Sequence, residues 1–152
     1  MNAVKHTETF RIQQPAEILF PLFSAEGEKL WVPGWEYTNI SGSEATHEDF
    51  IFLTRGQDHT STAGDTIWLV KRYDPESYFV QFYRVEPGQK VGLVSVRCLE
   101  IDKNITDVQV SYEYTALTEI GVQFIETFTP DHYKKFIAEW KTHLDHYFKS
   151  IH

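Results

Sequence analysis

The feature that most constrains the fold is a run of six strand-like segments followed by one long amphipathic helix. The segments have only short polar breaks between them, which favours an antiparallel meander over β-α-β units. Their predicted bounds are 36–42, 48–55, 65–73, 77–86, 89–102 and 106–117. In the last segment Val108, Val110, Tyr112, Tyr114 and Ala116 alternate with polar residues. This alternation predicts a sheet with one covered face and one solvated face.

The segment Thr129-Pro130-Asp131 predicts the start of the helix that covers this sheet. After it, apolar residues recur in one stripe at helical spacing. The stripe comprises positions 133, 136, 137, 140, 144, 147, 148 and 151. Residues 119–128 are predicted to be a helical lead-in, with a kink at Pro130.

The N-terminal segment begins with another alternating strand, 4–12, whose inward face carries His6 and Glu8. Pro15 then opens a short apolar helix that Pro21 keeps short. Ser24 gives a weak capping signal for a second turn. We therefore expect two small helices arranged in a V after the first strand.

This order of elements resembles the helix-grip fold of the START-like superfamily, also called SRPBCC or Bet v 1-like. That superfamily includes polyketide cyclases, lipid-transfer domains and plant pathogenesis-related proteins, and the chain is most similar to its bacterial members. The resemblance covers the whole chain and implies an α+β fold in which a curved seven-stranded antiparallel sheet grips the C-terminal helix around an apolar cavity. The segments that carry it are 10–20 leading to Trp31 and Trp35, 67–75, 84–88, 110–115, and the tail with Trp140 and Tyr147.

The composition limits the class of protein and its partners. A length of 152 residues suits a single domain, 1–152. The formal net charge of −8, without a cluster of Lys and Arg, argues against binding to nucleic acid. No apolar stretch is long enough for stable membrane insertion and no leader pattern opens the chain, so we expect a cytoplasmic protein. The single cysteine, Cys98, lies in an apolar run and is interpreted as a core residue.

The strongest functional signal is an aromatic content of 15%. Ligand pockets are mostly apolar and aromatic with a few polar anchors, although most individual rings serve only as core. Trp31 and Trp35 differ, because a loop containing Pro33 and Gly34 cannot bury two large rings unless it folds back over something. If Trp31 and Trp35 are exposed, they could form the interface of a homodimer as readily as cover a cavity. The candidate ligand-binding residues are Trp31, Trp35, Phe52, Trp68, Phe82, Arg84, Tyr112, Tyr114, Phe136 and Trp140.

Ionisable residues on the inward face are the second signal, because a charge in an apolar cavity is costly without a partner. Strand alternation predicts that His6, Glu8 and Arg84 lie on the inward face. A structural Glu8–Arg84 pair, or a phase error that exposes both, is one interpretation. The alternative is that Arg84 holds a ligand carboxylate or phosphate. A histidine beside a carboxylate would also suit general-base catalysis.

Other chemistries have weaker signals. Glu139, His143 and His146 share a flank of the terminal helix, but a solvated face is favoured over a metal site. The segment 58–61 contains Asp58, His59 and Ser61, which is more typical of a turn-rich loop than of a catalytic triad. We expect no metal and no cofactor, since zinc, dinucleotide and P-loop motifs are missing from the sequence.

The predicted function is therefore binding of a small hydrophobic or amphipathic molecule between sheet and terminal helix, for transport, storage or sensing. One alternative is a polyketide cyclase or aromatase-like enzyme, in which His6, Glu8, Arg84, Tyr112 or Tyr114 transfers protons. A second alternative, which comes from the superfamily alone, is a chaperone-stimulating or other protein-interaction module.

Overall fold

The computed structural model describes residues 2–55 and 65–151. These residues form one antiparallel sheet, three α-helices and two 3-10 turns. The strands are β1 (Ala3–Ile12), β2 (Tyr37–Asn39), β3 (Ile51–Thr54), β4 (Thr66–Asp74), β5 (Phe79–Glu86), β6 (Lys90–Asp102) and β7 (Ile105–Ala116). The helices are α1 (Ala16–Leu19), α2 (Glu119–Thr127) and α3 (Pro130–Ser150), with 3-10 turns at Phe20–Leu22 and Gly27–Leu30.

The seven strands form a single curved sheet in the order β1-β7-β6-β5-β4-β3-β2, with every neighbouring pair antiparallel. This arrangement confirms the predicted α+β helix-grip fold. The meander from β2 to β7 follows chain order because each hairpin pairs strands that are adjacent in sequence. Strand β1 pairs with β7 and is therefore one edge of the sheet.

Strands β2 and β3 are shorter than predicted, because local turn chemistry competes with pairing. The Asn39 side chain accepts a hydrogen bond from the Gly42 amide at 2.8 Å, and Gly42 has a φ of 80°. Asp49 also adopts a positive φ, 69°, just before β3 begins. Such turns end the extended conformation early. The predicted loop 56–64, with Asp58, His59 and Ser61, lies outside the described residues.

The terminal helix α3 begins where the sequence predicts. The Thr129 hydroxyl accepts a hydrogen bond from the His132 amide at 3.1 Å, and Pro130 occupies the first turn. Four residues of the predicted stripe are buried: Tyr133, Ile137, Leu144 and Phe148. The Tyr133 hydroxyl donates to the Val110 carbonyl at 2.6 Å, which ties the helix to β7. Ile151 was wrongly included in the stripe, since it follows the helix end and is exposed.

The predicted pair of short helices is reduced to α1 and two 3-10 turns. The Ser24 hydroxyl accepts a hydrogen bond from the Gly27 amide at 2.9 Å, but the residue in the N-cap position of the second turn is Glu26, which makes no side-chain cap. Gly27 lies so close to Pro21 that a Cβ there would be 2.2 Å from the Pro21 carbonyl oxygen. Only glycine permits this approach, so the second turn is packed tightly onto the first.

Candidate functional site

A small cavity lies between the concave face of the sheet and α3. Its free volume is about 20 Å³. This is enough for about one water molecule and far below the volume of a pocket for a small organic ligand. The lining residues come from the first and second 3-10 turn region, from β4 to β7, and from α3. They are Phe23, Glu28, Trp68, Phe82, Val94, Val96, Tyr112 and Trp140.

Aromatic rings fill most of the space that the fold encloses. Phe52 stacks on Trp68 with ring centroids 5.6 Å apart, and Trp68 meets Phe82 edge-on at 6.0 Å. On the other side Tyr112 contacts Phe136 at 5.4 Å and Trp140 at 6.3 Å. These edge and stacked contacts are favourable geometries for aromatic pairs. The aromatic residues therefore pack against one another in this state and leave little empty volume.

The tryptophan-containing loop folds back onto the chain that precedes it. The Trp31 indole donates to the Leu22 carbonyl, and the Trp35 indole donates to the Ala25 carbonyl, both at 2.8 Å. Trp31 is only 5% exposed and contacts the Trp140 ring at 5.4 Å, whereas Trp35 is half-buried. The suggestion of a homodimer depended on exposure of both rings, and the burial of Trp31 removes that support.

Arg84 lies on the concave face of β5, as its phase predicts. Its guanidinium lies 4.9 Å from the centre of the Trp68 ring and 6.0 Å from the centre of the Tyr114 ring. It also lies 3.7 Å from the Glu86 carboxylate. The interpretation of Glu8 as its structural partner was wrong, because Glu86 on the same strand provides the carboxylate. Cation–π contact and a carboxylate together reduce the cost of enclosing this charge.

Glu86 links Arg84 to a second enclosed cation. The Lys90 ammonium lies 3.0 Å from the Glu86 carboxylate and 3.8 Å from the centre of the Phe124 ring. Both Glu86 and Lys90 are buried. The pair sits at the β5–β6 hairpin, so the charged groups extend from the cavity to the end of the sheet.

Glu28 is the lining residue with the most perturbed chemistry. It lies in the second 3-10 turn, and burial raises the pKa of its carboxyl group to about 8, while the nearby Arg84 charge opposes that rise. Burial also raises the pKa of the Tyr112 hydroxyl. The charge of Arg84 opposes this rise, and the charge of Glu28 adds to it. Near neutral pH the cavity wall therefore carries a neutral carboxyl group and a phenol, and the Arg84 guanidinium lies against the Trp68 ring of the same wall.

The structure brings four of the predicted site residues to the cavity wall: Trp68, Phe82, Tyr112 and Trp140. Five other predicted residues form a layer around the cavity, where they pack against the lining rings or against Arg84. They are Trp31, Phe52, Arg84, Tyr114 and Phe136. Sequence reasoning missed Glu28, Phe23, Val94 and Val96 as lining residues. Phe23 and Val94 could have been found from the apolar patterns of the segments that contain them. Glu28 could not, because in sequence it looks like any acidic residue in a solvated turn.

The remaining candidates for chemistry are engaged elsewhere or do not assemble. The His6 imidazole bonds to the Phe128 carbonyl at 2.7 Å, between α2 and α3, and neither His6 nor Glu8 lines the cavity. Burial raises the pKa of the Cys98 thiol to about 12, which suppresses thiolate formation. Within the described parts of the chain, no three His, Cys, Asp or Glu side chains are grouped to hold a metal ion. Among the helices of residues 2–55 and 65–151, none is long and apolar enough to cross a membrane.

A larger, open groove follows the β2 edge of the sheet on the outside of the molecule. Its volume is about 520 Å³, and its walls include Lys29, Trp35, Tyr37 and Arg55. It opens broadly to solvent. The cavity between the sheet and α3, whose wall combines aromatic rings with Glu28 and Tyr112, is the better candidate site.

The seven-stranded sheet, the gripping helix and the enclosed cavity define the fold of START-like, or Bet v 1-like, proteins, as the resemblance in the sequence predicts. Norcoclaurine synthase from Thalictrum flavum, solved with dopamine and hydroxybenzaldehyde, has this fold with a TM-score of 0.66 at 13% identity, over 90% of this chain and 83% of that one. Ara h 8.0201 has a TM-score of 0.64 at 12% identity, over 98% and 95%. The Zhui aromatase/cyclase from Streptomyces sp. R1128 has a TM-score of 0.59 at 12% identity, over 76% and 70%.

Neither a family model nor a curated protein sequence matches this chain. At such low identities the solved structures show the fold alone, and the function has to be argued from the site.

Proposed function

We propose that the chain binds a small hydrophobic or amphipathic molecule between the sheet and α3, for transport, storage or sensing. Proteins of the same fold include an enzyme solved with two aromatic compounds and an aromatase/cyclase. The proposal extends ligand binding, but not their reactions, to this chain.

The observation that carries the proposal is that two polar groups, Glu28 and Tyr112, line an aromatic cavity, with the Arg84 guanidinium 4.9 Å from the Trp68 ring of the same wall. A well-packed apolar core would be at least as stable with hydrophobic residues at these positions, because enclosing the Arg84 charge and the polar groups of Glu28 and Tyr112 is costly for folding. Groups that are costly for folding and converge on one cavity are typical of ligand sites.

A ligand needs more room than the present cavity of about 20 Å³. The aromatic side chains are the part of the cavity wall that can move, because they contact other side chains and take no part in the backbone hydrogen bonds of the sheet. Trp140 on α3 stacks on Phe23 at 6.1 Å and meets Trp31 edge-on at 5.4 Å. Rotation of Trp140 and Phe23 away from Tyr112 would enlarge the cavity without breaking the sheet. We infer that ligand binding selects such an open arrangement.

The proposed ligand contacts divide into an apolar set and a polar set. Affinity would come from burial of apolar ligand surface and orientation from the polar groups. The apolar set is Trp31, Trp35, Phe52, Trp68, Phe82, Phe136 and Trp140, and the polar set is Arg84, Tyr112 and Tyr114.

N-phenyl-1-naphthylamine, an uncharged fluorophore, tests the proposal. We expect saturable fluorescence enhancement with the wild-type chain. Val96→Phe should weaken binding at least tenfold, because Val96 lines the cavity and is 1% exposed. Leu93→Phe is the matched control, because Leu93 alternates to the convex face of the same strand. Equal binding by both variants would overturn the proposed location.

Native mass spectrometry of the freshly purified protein supplies an independent measurement. A retained apolar or amphipathic adduct, identified after denaturing extraction, would support the proposal. A clean mass together with no binding of the fluorophore would favour a protein-interaction module instead.

An enzyme is the second candidate, and the Glu28 carboxyl favours it. A group whose pKa is about 8 can both give and accept a proton near neutral pH. The test is hydrogen–deuterium exchange at the α-carbon of an aryl ketone such as phenylacetone, followed by NMR. Catalysis would make Glu28→Gln lose the accelerated exchange while fluorophore binding remains. No acceleration by the wild type would eliminate proton transfer on this probe.

A further inference from the structure

We propose that two copies of this chain associate through the convex face of the sheet, over β3 to β6, with the two faces packed against each other about a two-fold axis. The cavity lies on the opposite, concave face, so this inference goes beyond ligand binding and does not depend on it. It involves neither Trp31 nor Trp35.

The convex face of these four strands is apolar, although an antiparallel sheet with one covered face usually turns polar side chains to solvent. The strand register aligns its residues in two rows across the sheet. The first row is Ile51, Leu69, Tyr83 and Leu93, and the second is Leu53, Ile67, Val85 and Val91. None of the eight is buried, and Ile67 is 37% exposed. We call these eight residues the convex patch.

Strand propensity does not account for the convex patch, because the same face is polar where the sheet continues. On β7 the outward residues are Gln109, Ser111, Glu113 and Thr115, which alternate with a buried row. These polar residues also form a strand, so the sheet does not require apolar residues on the convex face of β3 to β6. Contiguous exposed apolar residues of this kind mark a site of interaction.

The size of the face suits a dimer. With β7 and one flanking row at each end of the patch, the convex face covers roughly 600–700 Å², from the strand spacing and the rise per residue. This approaches the roughly 800 Å² that each partner contributes to a standard interface. The apolar rows would form the core of the interface and the polar flanks its rim, as is usual. Two sheets that pack face to face are a common arrangement in proteins.

The charges that flank the convex patch on β4 have opposite signs at its two ends. Asp65 precedes Ile67 and Lys71 follows Leu69 in steps of two residues, so all four belong to the convex side. The Lys71 ammonium lies 5.4 Å from the centre of the Tyr83 ring, which places it beside the patch although the register shifts next to it. Both charged side chains are exposed, and neither forms an ion pair with another residue in the described parts of the chain.

The segment around β3 carries the opposite order of charges, because β3 runs antiparallel to β4. Asp49 lies at the Lys71 end of the patch and Arg55 at the Asp65 end, and both are exposed. The flanking residues on β5 and β6 are uncharged, and they are Gln81, Pro87, Gln89 and Ser95. Each end of the patch therefore has one cation and one anion on adjacent strands.

A two-fold axis that crosses the strands between the two rows brings opposite charges together. It reverses the strand direction, so Lys71 meets the partner's Asp65 and Asp49 meets the partner's Arg55. Symmetry repeats both contacts, and no like charges meet. A surface that is complementary to itself in this way fits a second copy of the chain. An anionic membrane or an acidic peptide would instead fit a patch flanked by positive charge alone.

Sedimentation equilibrium of the wild-type chain should show a monomer–dimer equilibrium. Ile67→Glu should raise the dimer Kd at least about tenfold, because it places a charge within the apolar contact. Ile120→Glu is the matched control, since it makes the same change at an isoleucine that is 59% exposed on α2, outside the patch. It should associate like the wild type. Circular dichroism checks that both variants are folded, and both should bind N-phenyl-1-naphthylamine like the wild type.

Exchange of the flanking charges tests the two-fold arrangement and leaves the apolar rows unchanged. Lys71→Glu would face the partner's Asp65, and Asp65→Lys would face the partner's Lys71, so each variant alone should raise the dimer Kd by about threefold or more. An equimolar mixture of the two variants should form a heterodimer with nearly the wild-type Kd, because every contact again joins opposite charges. Lys135→Glu, on an exposed part of α3, is the control and should leave the Kd unchanged.

Other results would overturn the inference. A wild-type chain that stays monomeric at every concentration would refute it, and an equal Kd for Ile67→Glu and Ile120→Glu would place the interface elsewhere. A mixture that associates no better than its two components would exclude the proposed two-fold axis. Binding of a monomeric wild type to phosphatidylcholine–phosphatidylglycerol vesicles, lost in Ile67→Glu, would assign the patch to a lipid surface instead. Because fluorophore binding is measured separately, failure of the dimer is distinguishable from failure of the proposed function.

Discussion

Gly92 on β6 lies directly across from Arg84 on β5, and a Cβ at Gly92 would be 2.8 Å from the Arg84 Cγ. The same Cβ would be 2.8 Å from the Tyr114 ring. The missing side chain at position 92 therefore makes room on the concave face for a long cation and a large ring. This glycine serves side-chain packing rather than an unusual backbone conformation.

Gly92→Ala should consequently destabilise the protein and disturb the site. We expect a loss of about 1–3 kcal/mol in the free energy of unfolding, the usual cost of overpacking. N-phenyl-1-naphthylamine should also bind more weakly, since Arg84 and the Tyr114 ring must shift. Urea denaturation and probe titration measure the two effects. Gly88→Ala, in the β5–β6 turn, has nothing within 4 Å of the added Cβ but a φ of 78°, so it should lower stability through backbone strain and leave probe binding unchanged.

Glu28→Gln should stabilise the protein in a pH-dependent way. A carboxyl group whose pKa is raised by folding, from 4.5 to about 8, binds its proton more tightly when folded. Stability from this group is full below about pH 4.5 and falls as pH rises toward 8. The glutamine variant avoids this loss, so its advantage should grow to about 2 kcal/mol or more above pH 8. Denaturation curves at about pH 5 and pH 8.5 check it, and an equal advantage at both values would contradict the assigned pKa.

Tyr133→Phe should cost about 1–2 kcal/mol by removing the buried hydroxyl that donates to the Val110 carbonyl at 2.6 Å. Tyr147→Phe, on the same helix but half-buried, is the control and should cost clearly less. Thermal or urea unfolding distinguishes them. Equal losses would mean that the hydrogen bond between α3 and β7 adds little to docking of the helix.

Lys90→Met should be strongly destabilising, by about 3 kcal/mol, because it leaves buried Glu86 with one of its two cations missing. Lys135→Met provides the comparison. Lys135 pairs with Asp131 at 3.7 Å, but both side chains are about four-fifths exposed, and such pairs contribute little. Similar effects of the two substitutions in urea denaturation would show that the Glu86 pair is solvated.

The sequence by itself determined the order of elements and the inward faces. Alternation along β7 identified Val108, Val110, Tyr112 and Tyr114 as buried, because side chains on a strand point to opposite faces with a period of two. The capping signal at Thr129 and the stripe that follows predicted α3 for a similarly local reason. Patterns of this kind depend on residues close in the chain, and they were confirmed except at ends such as Ile151.

The tertiary structure decided what those faces meet. That Glu86 rather than Glu8 lies beside Arg84, and that Trp31 is enclosed by Phe23 and Trp140, depends on contacts between distant segments. Glu28 shows this most clearly. An acidic residue in a short turn has no periodic signal, and its pKa rises only because the turn docks over the sheet and takes the carboxyl group out of water, an effect that the Arg84 charge opposes. Burial and charge neighbours are properties of the folded chain, so the candidate site emerged from packing rather than from local pattern.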